Sequence, residues 1–221
     1  VWLMARPVID VPPDLCRATG FDWDIDWRTQ PTGEATDGTE GVLSVGFPRW
    51  IGTLALVLPP DLILQWRAVR AKARGRIGLY RVEIYDPLVP VPMDGKPWFN
   101  GEPWNNGEPW SGTPFWNFAQ AQARGDSTIR LTVPSPMPDP VAGQIISHEE
   151  WPTRVTRAIY EDGAWTVEID RPLIVAAASG DPICLRPIGI FEAVSDTSGN
   201  PSYDVDRVSK PTLELREYLR R

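Results

Sequence analysis

Proline falls about every nine residues along this chain, 24 times in 221 positions, and 18 glycines accompany it. Each proline lacks a backbone donor and fixes its own φ, so it breaks a helix interior. Few windows remain for helices, which excludes a helical bundle. Disorder is excluded too. Apolar residues make up 42 % of the chain, and Pro plus Gly stays below the roughly 25–30 % that marks low-complexity chains. A chain of this length buries a sizeable core, as one all-β domain or two smaller ones.

The pattern reads as mainly β (α+β): split-barrel or sandwich-like sheets, one amphipathic helix between strands, and a Trp/Pro-rich insertion. Phe21 to Trp27 alternates apolar and acidic residues with period two, which predicts a half-buried strand. Asp is a poor strand former, so the strand belongs at a sheet edge. Gly33 to Gly41 reads as a loop. Residues 42–58 read as one or two strands broken at Gly46 to Pro48. Pro59-Pro60-Asp61 then signals a helix start. Leu62, Trp66, Val69 and Ala73 form a helical stripe, and Gly75 stops a helix of about 61–74. The stripe is expected to pack on the N-terminal sheet.

Further strands are expected over Ile77–Tyr85, Ser127–Val133, Arg154–Tyr160, Trp165–Ile169, Ile183–Leu185 and Gly189–Val194. Leu213 to Leu219 closes as a strand or short helix, and 119–126 as a short helix or loop. Asp162-Gly163 between two strand patterns is a strong hairpin signal. Four prolines in 134–140 force a linker or extended loop. The expected organisation is an N-terminal β domain with the helix over 1–92, an insertion over 93–118, and a C-terminal β region over 119–221 packing on the first.

That insertion carries a repeat. Gly-[Lys/Glu]-Pro-Trp recurs in three hexads, and Trp98, Trp104, Trp110 and Trp116 fall with a period of six. Proline before Trp98, Trp104 and Trp110 favours extended or turn geometry, and the glycine of each hexad permits a reversal. Trp brings large contact area at low entropy cost. Three readings stand: packing on its own domain or a neighbouring copy, contact with another protein, or stacking on a glycan. The Trp residues are therefore candidate interface residues. A second candidate is the basic helix face, Arg67, Arg70, Lys72 and Arg74 followed by Arg76. It meets an acidic surface, including that of another copy, or is simply solvated.

Catalytic chemistry finds no foothold. His148 is the lone histidine and reads as a surface residue. No Gly-x-Ser-x-Gly stands before a triad. Two distant cysteines and one histidine do not make a zinc site. Asp22, Asp24 and Asp26 lack the Gly and Glu of a calcium loop, and read as a solvated strand face. No catalytic, cofactor or metal residue is assigned. The net charge of −7 opposes nucleic-acid binding. No apolar run approaches a membrane span, and no signal-peptide pattern is expected. Cys16 and Cys184 either pair or stand as two buried thiols in a protein assembled in a reducing cytoplasm.

One resemblance adds to this reading. Phe47-Pro48-Arg49-Trp50-Ile51-Gly52-Thr53-Leu54-Ala55-Leu56 leads to the helix Leu62 to Val69, the turn Arg74-Gly75-Arg76 and the strand Gly78 to Val82. This span resembles siphophage-type distal tail and baseplate proteins of tailed phages or phage-like particles. Ala177 to Ile183, Phe191 to Gly199 and Pro211 to Arg216 are similar to the family's later strands and turns. The resemblance implies a non-enzymatic virion component of the tail tip, assembled in the host cytoplasm. It implies a homo-oligomer, a hexameric ring, joining the tail tube to hub or baseplate proteins and fibres. The alternative is a carbohydrate- or receptor-binding tail module using the Trp repeat. The insertion departs from the family pattern.

Overall fold

The structure, a computed structural model, describes residues 6–17, 20, 22–34, 36–44, 46–88, 114–135, 137–203, 205 and 207–220. In chain order its first elements are β1 (Val8–Asp10), α1 (Pro13–Arg17), β2 (Trp23–Asp26), β3 (Thr29–Glu34), β4 (Glu40–Ser44), β5 (Arg49–Ala55), α2 (Pro60–Ala73) and β6 (Leu79–Glu83). Then come β7 (Phe115–Phe118), β8 (Thr128–Thr132), β9 (Ile145–His148), β10 (Trp151–Glu161), β11 (Ala164–Ile169) and β12 (Pro182–Cys184). The last are β13 (Ile188–Ala193) and β14 (Thr212–Glu217). The fold is mainly β, with 45 % of the described residues in strand and 10 % in helix.

Two compact units divide the chain. The first is Val1–Val82 with Ile190–Arg221, and the second is Glu83–Gly189. This differs from the expected split into 1–92, 93–118 and 119–221. The last 32 residues belong with the first unit, because β14 pairs β5 antiparallel from Thr212↔Ala55 to Arg216↔Ile51. A strand pattern predicts an edge that must be paired, but not which distant edge pairs with it.

The first unit holds a six-stranded sheet in the order β1-β6-β13-β14-β5-β2. β2 lies at its edge, as the aspartates require, with Trp23 and Ile25 buried and Asp24 exposed. Gly52 stands opposite Trp23. A Cβ there would sit 2.2 Å from the Trp23 ring, so only glycine lets the indole lie across β5. Between β5 and β6 runs α2, with proline in its first turn and Asp61 beside the N-terminus. It ends on Arg74 in the left-handed region at φ 51°, followed by Gly75 at φ 68°. Its buried face is Ile63, Trp66, Val69 and Ala73. Ile63 takes the place expected for Leu62, which is only half-buried.

Across the sheet face, Glu192 accepts from Arg6 at 2.6 Å and from Arg216 at 2.7 Å. Burial pushes its carboxyl up, but the hydrogen bonds and charges of Arg6 and Arg216 win and hold it below its ordinary value of 4.5. The folded state thus releases this proton more readily than the unfolded chain. The resulting stability is present above about pH 4.5 and is lost as pH falls through the lowered folded value. Glu192→Gln is expected to lower the urea midpoint more at pH 7 than at pH 3. Equal losses at both pH values would contradict the linkage.

The second unit is a closed barrel in the order β10-β11-β8-β7-β12-β9. Each registered pair is antiparallel. Trp116, Phe118, Ile129, Leu131, Ile146, Val155 and Val167 fill its interior. Asp162 and Gly163 both take positive φ, 50° and 77°, which is the two-residue turn that matches strand twist. Residues 119–126 form turns rather than a helix. The described residues of the 134–140 segment lie in a loop of the barrel unit, with Met137 N–H bonded to the Pro134 carbonyl at 2.8 Å.

Candidate functional site

The arginine stripe of α2 is the first candidate surface. Arg67, Arg70 and Arg74 stand at i, i+3 and i+7, on one line along the helix. Arg67 and Arg74 are exposed and Arg70 is half-buried. Arg70 is committed within the chain: it donates to Asn200 Oδ1 at 3.3 Å and to the Asp196 carbonyl at 3.0 Å. The Arg76 N–H reaches Asp196 Oδ1 at 2.8 Å. Trp66 Nε1 donates to the Gly199 carbonyl at 2.8 Å. The Arg-Gly-Arg turn and the 196–200 turn therefore lock together around the helix end. That leaves Arg67 and Arg74 presented outward, while Leu64 on the same helix is an exposed large apolar residue.

A second surface lies partly where the sequence predicts a loop, over Gly33 to Gly41. β3 and β4 form their own two-stranded sheet, and every residue of both strands is exposed. Val42 and Leu43 are 65 % and 61 % exposed. Toward the tip, Glu34 stands directly opposite Glu40, a like-charge pairing that destabilises an antiparallel ladder. Asp37 adds a third carboxylate, held below its ordinary value by hydrogen bonds from the Thr39 hydroxyl and N–H. An isolated two-stranded ribbon is marginal in water. At its base Arg49 forms an ion pair with Asp26 at 3.1 Å.

Of the four candidate tryptophans, Trp98, Trp104 and Trp110 lie outside the described residues. The structure places Trp116 away from any surface. It is 0 % exposed in the barrel core, on β7, and its Nε1 donates to the Pro138 carbonyl at 2.9 Å. The strand Phe115–Phe118 turns Trp116 and Phe118 inward, so this last Trp is a core residue and not part of a contact ladder. His148 is likewise not a surface residue. It is 7 % exposed on β9, edge-on to Phe118 with ring centroids 5.1 Å apart. Its Nδ1 lies 3.3 Å from the Pro182 carbonyl. Cys16 is buried, Cys184 is half-buried, and neither forms a disulfide.

Among the described residues, no group of three or more His, Cys, Asp or Glu is gathered closely enough to hold a metal. No described helix is long and apolar enough to cross a membrane. No protein-family model matches the chain, and no curated protein matches it.

Proposed function

We propose that this chain is a structural, non-enzymatic ring subunit of a phage tail tip, located in the virion tail and connecting the tail tube to the hub or baseplate and fibres. The observation that carries the reading is the meeting, in one unit, of a first stretch that resembles the distal tail family, 47–82, with a second made of 191–199 and 211–216, while the resembling stretch 177–183 lies in the other unit. β5, α2 and β6 come from the first stretch, and β14 and the 196–200 turn from the second. They join through the β5–β14 ladder and the Trp66–Gly199 hydrogen bond.

Ring closure needs a heterologous contact, in which one surface of a copy meets a different surface of the next. The acidic β3–β4 tip with exposed Val42 and Leu43, and the helix face with Arg67, Arg74 and exposed Leu64, complement each other in charge and in apolar area. In a ring, the hairpin of one copy lies on α2 of the next. Six copies is the number implied by the resemblance.

Native mass spectrometry of the purified chain is expected to show a hexamer that weakens with salt, since exposed charge pairs are screened. Arg67→Glu with Arg74→Glu should dissociate it, and adding Glu34→Arg with Glu40→Arg should restore it. A free monomer under all conditions, together with absence of the chain from purified particles, would overturn the reading.

A further inference from the structure

A groove of about 740 Å³ opens at one end of the barrel, where β8, β10 and β11 reach their limits. Val133 and Met137 pack against the barrel core and form its floor. Tyr160 and Trp165 face each other across the β10–β11 ladder, with ring centroids 5.4 Å apart and planes tilted by 58°. The tilt prevents the rings from covering each other, and Tyr160 is 62 % exposed. Asp139 and Ser135 add an exposed carboxylate and hydroxyl at the rim.

We propose that this groove binds a neutral saccharide of gluco configuration, stacked on Tyr160 and Trp165 and hydrogen-bonded to Asp139. Among the described residues no Lys or Arg lines the groove, and the charged group there is the Asp139 carboxylate. A phosphate backbone or other anion is therefore repelled, since single-stranded nucleic acid needs aromatic platforms together with cations. A quaternary ammonium ion is best held over the faces of aromatic rings that surround it, whereas here two tilted rings stand on one side. A gluco-configured pyranose fits what remains. Its axial C–H bonds form an apolar face for the rings, and its equatorial hydroxyls donate outward to a charged acceptor, the stronger kind of hydrogen bond.

The groove is also preformed. Trp116 Nε1 holds the Pro138 carbonyl at 2.9 Å, and Met137 N–H holds that of Pro134, so these rim residues are tied in place before binding. The mouth of a β-barrel is a common place for such a site. The inference stands independently of the ring, and it uses none of the hexad tryptophans.

The test is calorimetric titration of the full chain with cellohexaose, chitohexaose and maltohexaose, with choline, oligo(dT) and a polyproline peptide as competing chemistries. At least one saccharide should bind, and the three competitors should not. Tyr160→Ala and Asp139→Asn, both exposed and tolerable to the fold, should each weaken binding about tenfold, the loss of one good contact at a hot spot. Trp165→Phe keeps an aromatic at the barrel end and should weaken it less. Trp104→Ala with Trp110→Ala should leave it unchanged. The proposal fails if no saccharide binds, if choline or the peptide binds in its place, or if binding survives both Tyr160→Ala and Asp139→Asn.

Discussion

Trp66→Ala is expected to destabilise the first unit by about 3–5 kcal/mol, the range for deleting a large buried aromatic side chain. The indole is fully buried on the inner face of α2. Its Nε1 donor also reaches the Gly199 carbonyl, 133 residues away in sequence. Trp66→Phe keeps most of the apolar volume but strands that carbonyl, and should cost only about 1–3 kcal/mol. Urea denaturation measures the two losses. Hydrogen exchange locates them: Trp66→Ala should raise exchange in β5, α2 and the 196–217 stretch together. Were 196–217 to remain protected while α2 opened, the assignment of the C-terminal residues to the first unit would be wrong.

That assignment marks the limit of what the chain makes legible. Local chemistry was readable. The period-two aspartates place β2 at an edge, Pro60 and Asp61 open α2, and Asp162-Gly163 turns β10 into β11. Each signal needs only its own few residues. The pairing of β14 with β5 does not, because it joins positions some 160 apart whose patterns fit any open edge. The helix face shows the same limit on a smaller scale. Leu62 and Ile63 are both apolar, and a difference of one residue is about 100° around a helix. Only the sheet beneath decides which is buried.

Three features were hidden for distinct reasons. The β3–β4 hairpin has solvent on both faces, so it carries no alternation; only Val42 to Ser44 fall in an expected strand, while Gly33 to Gly41 reads as a loop. β7 was masked by coincidence of period. Trp116 continues the six-residue spacing of the repeat, yet it also begins the inward pair Trp116 and Phe118 of a strand. His148 sits in the polar run Ser-His-Glu-Glu, but β9 lies between β10 and β12 in a closed barrel and all four of its residues are buried. The arginine stripe was legible. The acidic hairpin tip that complements it was not, because its carboxylates come together only once the ribbon is paired.

The second large effect belongs to Trp116, which joins the barrel core to the saccharide groove. Trp116→Ala should cost the barrel about 3–5 kcal/mol through the lost aromatic volume and the space it leaves. Trp116→Phe separates packing from positioning. Phenylalanine fills most of the site but cannot donate to the Pro138 carbonyl, so stability should fall by about 1–3 kcal/mol. The barrel then stays folded while its proline-rich rim loses one of its ties. Binding in the groove should weaken although Trp116 is not among the residues lining it, because a rim that must be ordered on binding lowers affinity. Paired urea and calorimetric titrations of Trp116→Phe separate the outcomes. A stable barrel with weakened saccharide binding supports a preformed groove. A stable barrel with unchanged binding shows that the Pro138 bond serves packing alone.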